Sequence, residues 1–135
     1  MENQPIIKGH VKIRLGDEVL WEGDNTLGVN ASIMFASAMG FHPNLDLTLN
    51  QIIVFYTVGL DNFQYQAAIE TYASDGVNVA TFSTTLDPLE FSGDITSLRI
   101  KPGTSDEFFA TININPVFTK ALNQAVTIDW SFTIT

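Results

Sequence analysis

The stretch Val126-Thr-Ile-Asp-Trp-Ser-Phe-Thr-Ile-Thr135 decides the fold class. Val126, Ile128, Trp130, Phe132 and Ile134 fall on one side of a two-residue repeat, and Thr127, Asp129, Ser131, Thr133 and Thr135 fall on the other. Successive side chains of a strand point to opposite faces, so this pattern is that of a strand with one face buried and one face wet. The alternation runs to the last residue, which implies a C-terminus built into a sheet rather than left as a tail.

The same period appears at the other end of the chain. Lys8, His10, Lys12 and Arg14 share one side of a strand, and Val11, Ile13 and Leu15 share the other. Gly16-Asp17 supplies a tight turn of the Gly-X type, after which Val19-Leu20-Trp21 returns antiparallel as an N-terminal hairpin. Two registers are open: a two-residue loop puts Trp21 beside Lys12, and a three-residue loop puts it opposite Ile13. Gly23-Asp24-Asn25-Thr26 reads as a break rich in helix-capping side chains. Leu27, Asn30, Ala31, Met34, Phe35 and Ala38 then recur near helical spacing, which predicts one short helix ending at Gly40. Its small residues, Ala31, Ser32, Ala36, Ser37 and Ala38, would let it lie close against a sheet.

From residue 45 onward the sequence predicts only strands. Ile52-Ile53-Val54-Phe55-Tyr56 is apolar without alternation, and its β-branched and aromatic content favours a strand buried on both faces. Residues 64–72 read either as a strand or as a loop with a helical turn. Residues 77–86 alternate again and stop at Asp87-Pro88. Strands over 94–101 and 107–114 precede the last one, separated by Lys101-Pro-Gly-Thr and Asn115-Pro116. Seven to nine turn-spaced strands with one helix in the first third predict a mainly β fold, an antiparallel two-sheet sandwich, a jelly roll or a barrel. Residues 1–7, which include Pro5, form a short arm, and residues 8–135 form a single β-sandwich domain without linker, charge block or repeat.

A chain of 135 residues is long enough for one buried core. Its net charge of -9, from 15 acidic and 6 basic residues, repels phosphate backbones and anionic bilayers, so neither nucleic acid nor membrane is an expected partner. There is no cysteine, hence no disulfide and no thiolate site. No segment approaches the ~18 unbroken apolar residues of a membrane span, and no signal-like apolar core follows residues 1–5, so the translated chain is expected to be the mature one. Charged residues make up 16% of the chain, against about 25% in ordinary soluble domains. So sparsely ionic a surface fits a protein partly covered by a neighbour, and fits equally a domain with threonine on its open sheet face.

Residues that carry chemistry are scattered. Asp17, Asp24, Asp46, Asp61, Asp75, Asp87, Asp94 and Asp106 neighbour turn-forming residues and read as turn aspartates that bond their own backbone. The two histidines, His10 and His42, have no metal-ligand spacing, and nucleophile-elbow and phosphate-loop patterns are missing. No catalytic, cofactor or metal residue is assigned, and an enzyme is not expected. The concentrated feature is electrostatic: Lys8, His10, Lys12 and Arg14 form one basic stripe and Arg99 and Lys101 a second. If the two strands are neighbours, an acidic body carries a basic face for an acidic protein partner or a second subunit. Otherwise the stripes pair with Glu18, Glu22 or Glu107 across the sheet at under ~1 kcal/mol each.

Several of these elements together resemble small β-rich virion proteins of tailed bacteriophages. They are the hairpin around Gly16-Asp-Glu-Val-Leu-Trp-Glu-Gly23, the helix entered through Asn25-Thr-Leu27, the pair from Ser92-Gly-Asp-Ile-Thr to Phe108-Phe-Ala-Thr, and the terminal strand. The resemblance implies a structural virion protein, first a capsid decoration (cement) protein on the capsid exterior, made in the host cytoplasm. The partners it implies are the major capsid protein and further copies of the chain as a dimer or trimer, without a cofactor. A tail, neck or baseplate adaptor of the same fold is the second expectation. A carbohydrate-binding sandwich using Trp21, Tyr56, Tyr65 and Tyr72 as a stacking platform is the third.

Overall fold

The computed structural model describes residues 7–27, 49–102 and 109–134. They form nine strands: β1 (Ile7–Leu15), β2 (Glu18–Leu27), β3 (Leu49–Val58), β4 (Asp61–Ala68), β5 (Thr71–Ser74), β6 (Val79–Leu86), β7 (Gly93–Pro102), β8 (Ala110–Lys120) and β9 (Val126–Ile134). All pairings are antiparallel, in the order β4-β3-β7-β8-β2-β1-β9-β6-β5. Two sheets result. Sheet A holds β2, β1, β9, β6 and β5, and sheet B holds β4, β3, β7 and β8.

The sheets are joined on both flanks by strands that change partner. Most of β2 pairs with β1, but its last residues leave for β8, with Thr26 opposite Thr111 and Leu27 opposite Ala110. On the other flank β4 pairs with β3, whereas β5, next in the chain, pairs with β6. The change falls between two adjacent residues: Ile69 N–H donates to Asn50 O at 3.0 Å, and Glu70 N–H donates to Ser83 O at 2.9 Å. The buried Thr84 hydroxyl reinforces this corner by donating to Ala68 O at 2.8 Å. Such corners are how a two-layer β structure limits its unpaired edges.

The terminal alternation places its apolar set inside. Val126, Ile128 and Trp130 are wholly buried and Phe132 nearly so, and Val11 and Ile13 of β1 face them across the ladder. Sheet B contributes Ile52, Val54, Ile95, Leu98, Ile100 and Ile112 to the same core. Phe132 is ringed by Phe82, Phe109 and Trp130 at centroid distances of 6.1, 5.0 and 6.1 Å. The expected double burial in β3 holds at Ile52, Ile53 and Val54, although Ile53 lies outside the common core cluster.

Four local expectations are corrected. The hairpin loop between β1 and β2 has two residues, Leu15 facing Glu18 across Gly16-Asp17, yet Trp21 stands opposite Ile13. A bulge at Leu20 reconciles the two, since an extra residue in β2 shifts everything beyond it by one place. Gly16 takes φ 61°, where a side chain would be strained, and Gly23 lies under the Trp21 indole, which would sit 2.7 Å from an added Cβ. Residues 23–27 do not break the strand or cap a helix; they continue β2, because Gly23 to Asn25 keep their pairing with β1 and Thr26 and Leu27 pair with β8, which together outweigh a capping preference worth about 1 kcal/mol. Among the described residues there is no helix, and residues 28–40 of the expected one lie outside them.

Asn115-Pro116 does not end a strand either. It sits inside β8, where four residues, 114–117, stand against the single residue Thr96 between the Phe118–Ile95 and Asn113–Ser97 pairs, and its peptide bond is cis. Proline has no N–H for the ladder, so the strand passes it by bulging. Asp24, Asp61 and Asp94 lie in strands, not turns. Asp75 is the turn aspartate the sequence describes: its Oδ1 accepts from the N–H groups of Val77, Asn78 and Val79 at 2.8, 2.9 and 3.0 Å, which holds its carboxyl below the usual range. Residues 64–72 are strand with a two-residue interruption.

Trp130 has no exposed surface and stacks on Phe132 within the common core. Trp130→Ala is expected to cost about 3–5 kcal/mol, read from the urea midpoint of unfolding; an unchanged midpoint would contradict this core.

Candidate functional site

The first basic stripe lies on the outer face of sheet A, in register with the polar side of β9. Arg14 faces Thr127, Lys12 faces Asp129, His10 faces Ser131 and Lys8 faces Thr133. Beyond β9 the rows continue into β6 with Thr85, Ser83, Thr81 and Val79. The hydroxyls bond along these rows: Thr81 to Ser131 at 2.8 Å and Thr85 to Thr127 at 2.9 Å. The threonine-lined open face, one of the two readings that composition leaves open, is present on sheet A, and these hydroxyls bond one another.

Two of the stripe's cations are committed to acids within the sheet. Arg14 Nε donates to Asp129 Oδ2 at 2.6 Å, Arg14 Nη1 donates to Gly16 O at 2.8 Å, and the Ser83 hydroxyl donates to Asp129 Oδ1 at 2.6 Å. The hydrogen bond to Asp129 and its charge hold Arg14 above its ordinary pKa. His10 is clamped across the hairpin: Nδ1 lies 2.8 Å from Asp24 Oδ1 and Nε2 lies 2.8 Å from Glu22 Oε1. Only the doubly protonated ring can donate to both acids at once, since the neutral ring carries a single N–H. Its pKa is raised accordingly, chiefly by the bond to Asp24, with burial opposing and Glu22 adding to the rise.

The second stripe lies elsewhere. Arg99 and Lys101 are on β7, whose neighbours are β3 and β8 in sheet B, so the two stripes are not side by side and form no single basic face. Arg99 stacks its guanidinium over the Phe55 ring, 4.7 Å from the centroid, and Lys101 Nζ donates to Pro102 O at 3.0 Å. Of the acids expected opposite the stripes, Glu22 does engage β1, but through His10, and Glu107 lies outside the described residues. His42, Asp46, Asp106 and residues 1–6 also lie outside them.

The aromatic platform is not assembled. Tyr56 and Trp21 pack against the core, Tyr65 is partly buried beside Phe91, and Tyr72 stands exposed on β5. No protein-family model, no curated protein and no solved structure matches this chain. The site must stand on its own geometry.

One buried group escaped the sequence reading. Lys120 is wholly buried, and its Nζ donates to the carbonyl oxygens of Phe91 at 2.7 Å, Pro88 at 3.2 Å and Ala121 at 3.4 Å, 5.3 Å from the Phe91 ring centroid. Burial lowers its pKa, with Glu90 pulling the other way. A lysine at a strand end beside a turn carries no sequence mark of burial. The His10 clamp did carry one, because Glu22 and Asp24 share a strand face two residues apart; only the register was missing.

These contacts make two predictions. The histidine pKa is raised on folding, so its stabilisation is complete below the unfolded value near 6.5 and is lost as pH rises through the folded value. The melting-temperature difference between wild type and His10→Gln is expected to be largest and flat on the acid side and to shrink across that window. Arg14→Ser is expected to destabilise by about 1 kcal/mol, because it strips a part-buried carboxylate of a partner, whereas Lys12→Ser stays within about 0.5 kcal/mol; chemical denaturation measures both.

Proposed function

We propose that the protein is a structural subunit of a virion, attached to the outside of a capsid as a decoration protein. The observation that supports this best is the closure of both flanks of the sandwich by strands shared between the sheets, β2 on one side and the β4–β5 run on the other. A body tied at both corners resists shear between its layers, and its strand order ends only at β4 and the short β5. Those are the properties a repeated shell component needs. On its outer sheet A face Arg14, Asp129 and the hydroxyl rows are bonded among themselves, which leaves the ends of the sandwich as the place for attachment.

A decoration protein gains its effect by number, since weak contacts repeated over a shell add up to large stabilisation. The test is to mix the purified protein with undecorated capsids of the phage that carries it and to sediment the mixture. Saturation at hundreds of copies together with a higher shell melting temperature is the expected result. A handful of copies per particle would transfer the protein to the tail or neck, and failure to sediment with any particle would end the virion reading.

A further inference from the structure

Ten large apolar side chains are exposed among the described residues, and their placement is not random. The antiparallel registers bring four connections to one end of the sandwich: the turns at 16–17 and 59–60, the crossing at 87–92 and the crossing at 121–125. Leu60 at the β3–β4 turn is 99% exposed, Leu89 in the 87–92 crossing 74% and Leu122 in the 121–125 crossing 55%. Val58, Phe63 and Val117 flank them, and Val19 and Leu20 belong to the hairpin at the same end. Only Tyr72 and Val77 lie away from it, on β5 and the β5–β6 turn.

This end is built rigidly. The Phe91 ring stacks on Tyr56 at 4.0 Å between centroids, and Tyr56 stacks on Phe63 at 5.4 Å, which locks the 87–92 crossing to the β3–β4 hairpin. The Tyr65 hydroxyl is pushed up to about 12 by its hydrogen bond to Glu90, followed by burial, a further tie to the same crossing. Lys120 and Asn123 fix its other side, Lys120 through the three carbonyls already described and Asn123 through an N–H bond to Pro88 O at 3.1 Å. Exposed leucines on a scaffold so fixed have little ordering entropy left to lose on contact.

The charges around them have one sign. Asp17, Glu18, Asp61, Asp87, Glu90 and Asp94 all lie at this end. Its two cations are engaged, Arg14 with Asp129 and Gly16 O, and Lys120 buried under the crossing. A second copy would bring acid to acid, and an anionic lipid surface would be repelled. We infer that the apolar, acid-rimmed end formed by Leu60, Leu89 and Leu122 is a docking surface for a protein partner that presents an apolar patch framed by lysine or arginine. The inference goes beyond the virion reading, since it fixes the chemistry of the partner whatever particle or complex carries it.

The test needs no particle. A short labelled peptide of alternating leucine and lysine is titrated into the protein, and binding is followed by anisotropy and by amide NMR shifts. The expected result is shifts confined to residues 58–63, 87–92 and 117–122, an affinity that falls with salt, and a loss of roughly tenfold or more in the combined Leu60→Ser, Leu89→Ser, Leu122→Ser variant. That variant alters only exposed positions and is expected to keep the wild-type melting temperature; Val77→Ser serves as the control at the other end and keeps wild-type binding. No binding, shifts elsewhere, equal binding of a leucine-glutamate peptide, or equal binding by the triple variant would each overturn the inference. Self-association that the triple variant abolishes would give this end to a second copy, and binding to neutral phosphatidylcholine vesicles would give it to lipid; either overturns it too.

Discussion

The architecture depends on backbone hydrogen bonds made by two strands to two different sheets. A sandwich of open sheets ends in unpaired N–H and C=O groups, each costly if buried and adhesive if exposed. Here the end of β2 turns from β1 to β8, and the Ile69-Glu70 pair hands the chain from β3 to β6. Both layers are thereby fixed about one core, and Trp130, Phe132 and the Ile and Val residues of β3 and β7 can pack without slippage. Every surface property described above follows from that fixed frame.

With the layers held, the two kinds of outer surface differ in character. The open face of sheet A carries Arg14, Asp129, Ser83 and the threonine rows in mutual hydrogen bonds, with Lys8 and Lys12 exposed beside them. The end bearing the four connections displays leucines over a cross-braced base of Tyr56, Phe91 and Lys120. Of the two readings of the low overall charge, a covered surface or a threonine face, the hydroxyl rows of sheet A supply the second.

Strand period was legible wherever one side of a strand is buried. Val126 to Phe132 and Val11 to Leu15 show it, because burial of alternate residues leaves a mark on composition. What the chain did not reveal depends on partners distant in sequence. Asn25 and Thr26 are good helix caps in isolation, and only their pairing with Gly9 of β1 and Thr111 of β8 makes them strand. Asn115-Pro116 is ordinary turn punctuation unless a bulge can absorb it. Arg99 looked like a companion to Arg14 because both alternate with apolar residues, yet periodicity cannot say which sheet a strand joins. The exposed leucines escaped for a related reason: Leu60, Leu89 and Leu122 are isolated in sequence and meet only through topology.

The pairing of β1 with β9 has a kinetic side. These two strands are neighbours in the middle of sheet A, with Ile7 opposite Ile134 and Arg14 opposite Thr127, although nearly the whole described chain separates them in sequence. The β1–β2 hairpin can close locally, but its β1 edge stays open until β9 is present to pair with it. Hairpins such as β3–β4 and β7–β8 can close locally as they appear, but the layer that holds Trp130 assembles last and all at once. Closure of this layer is thus a long-range event, slow in the manner of folds whose early and late segments must find each other.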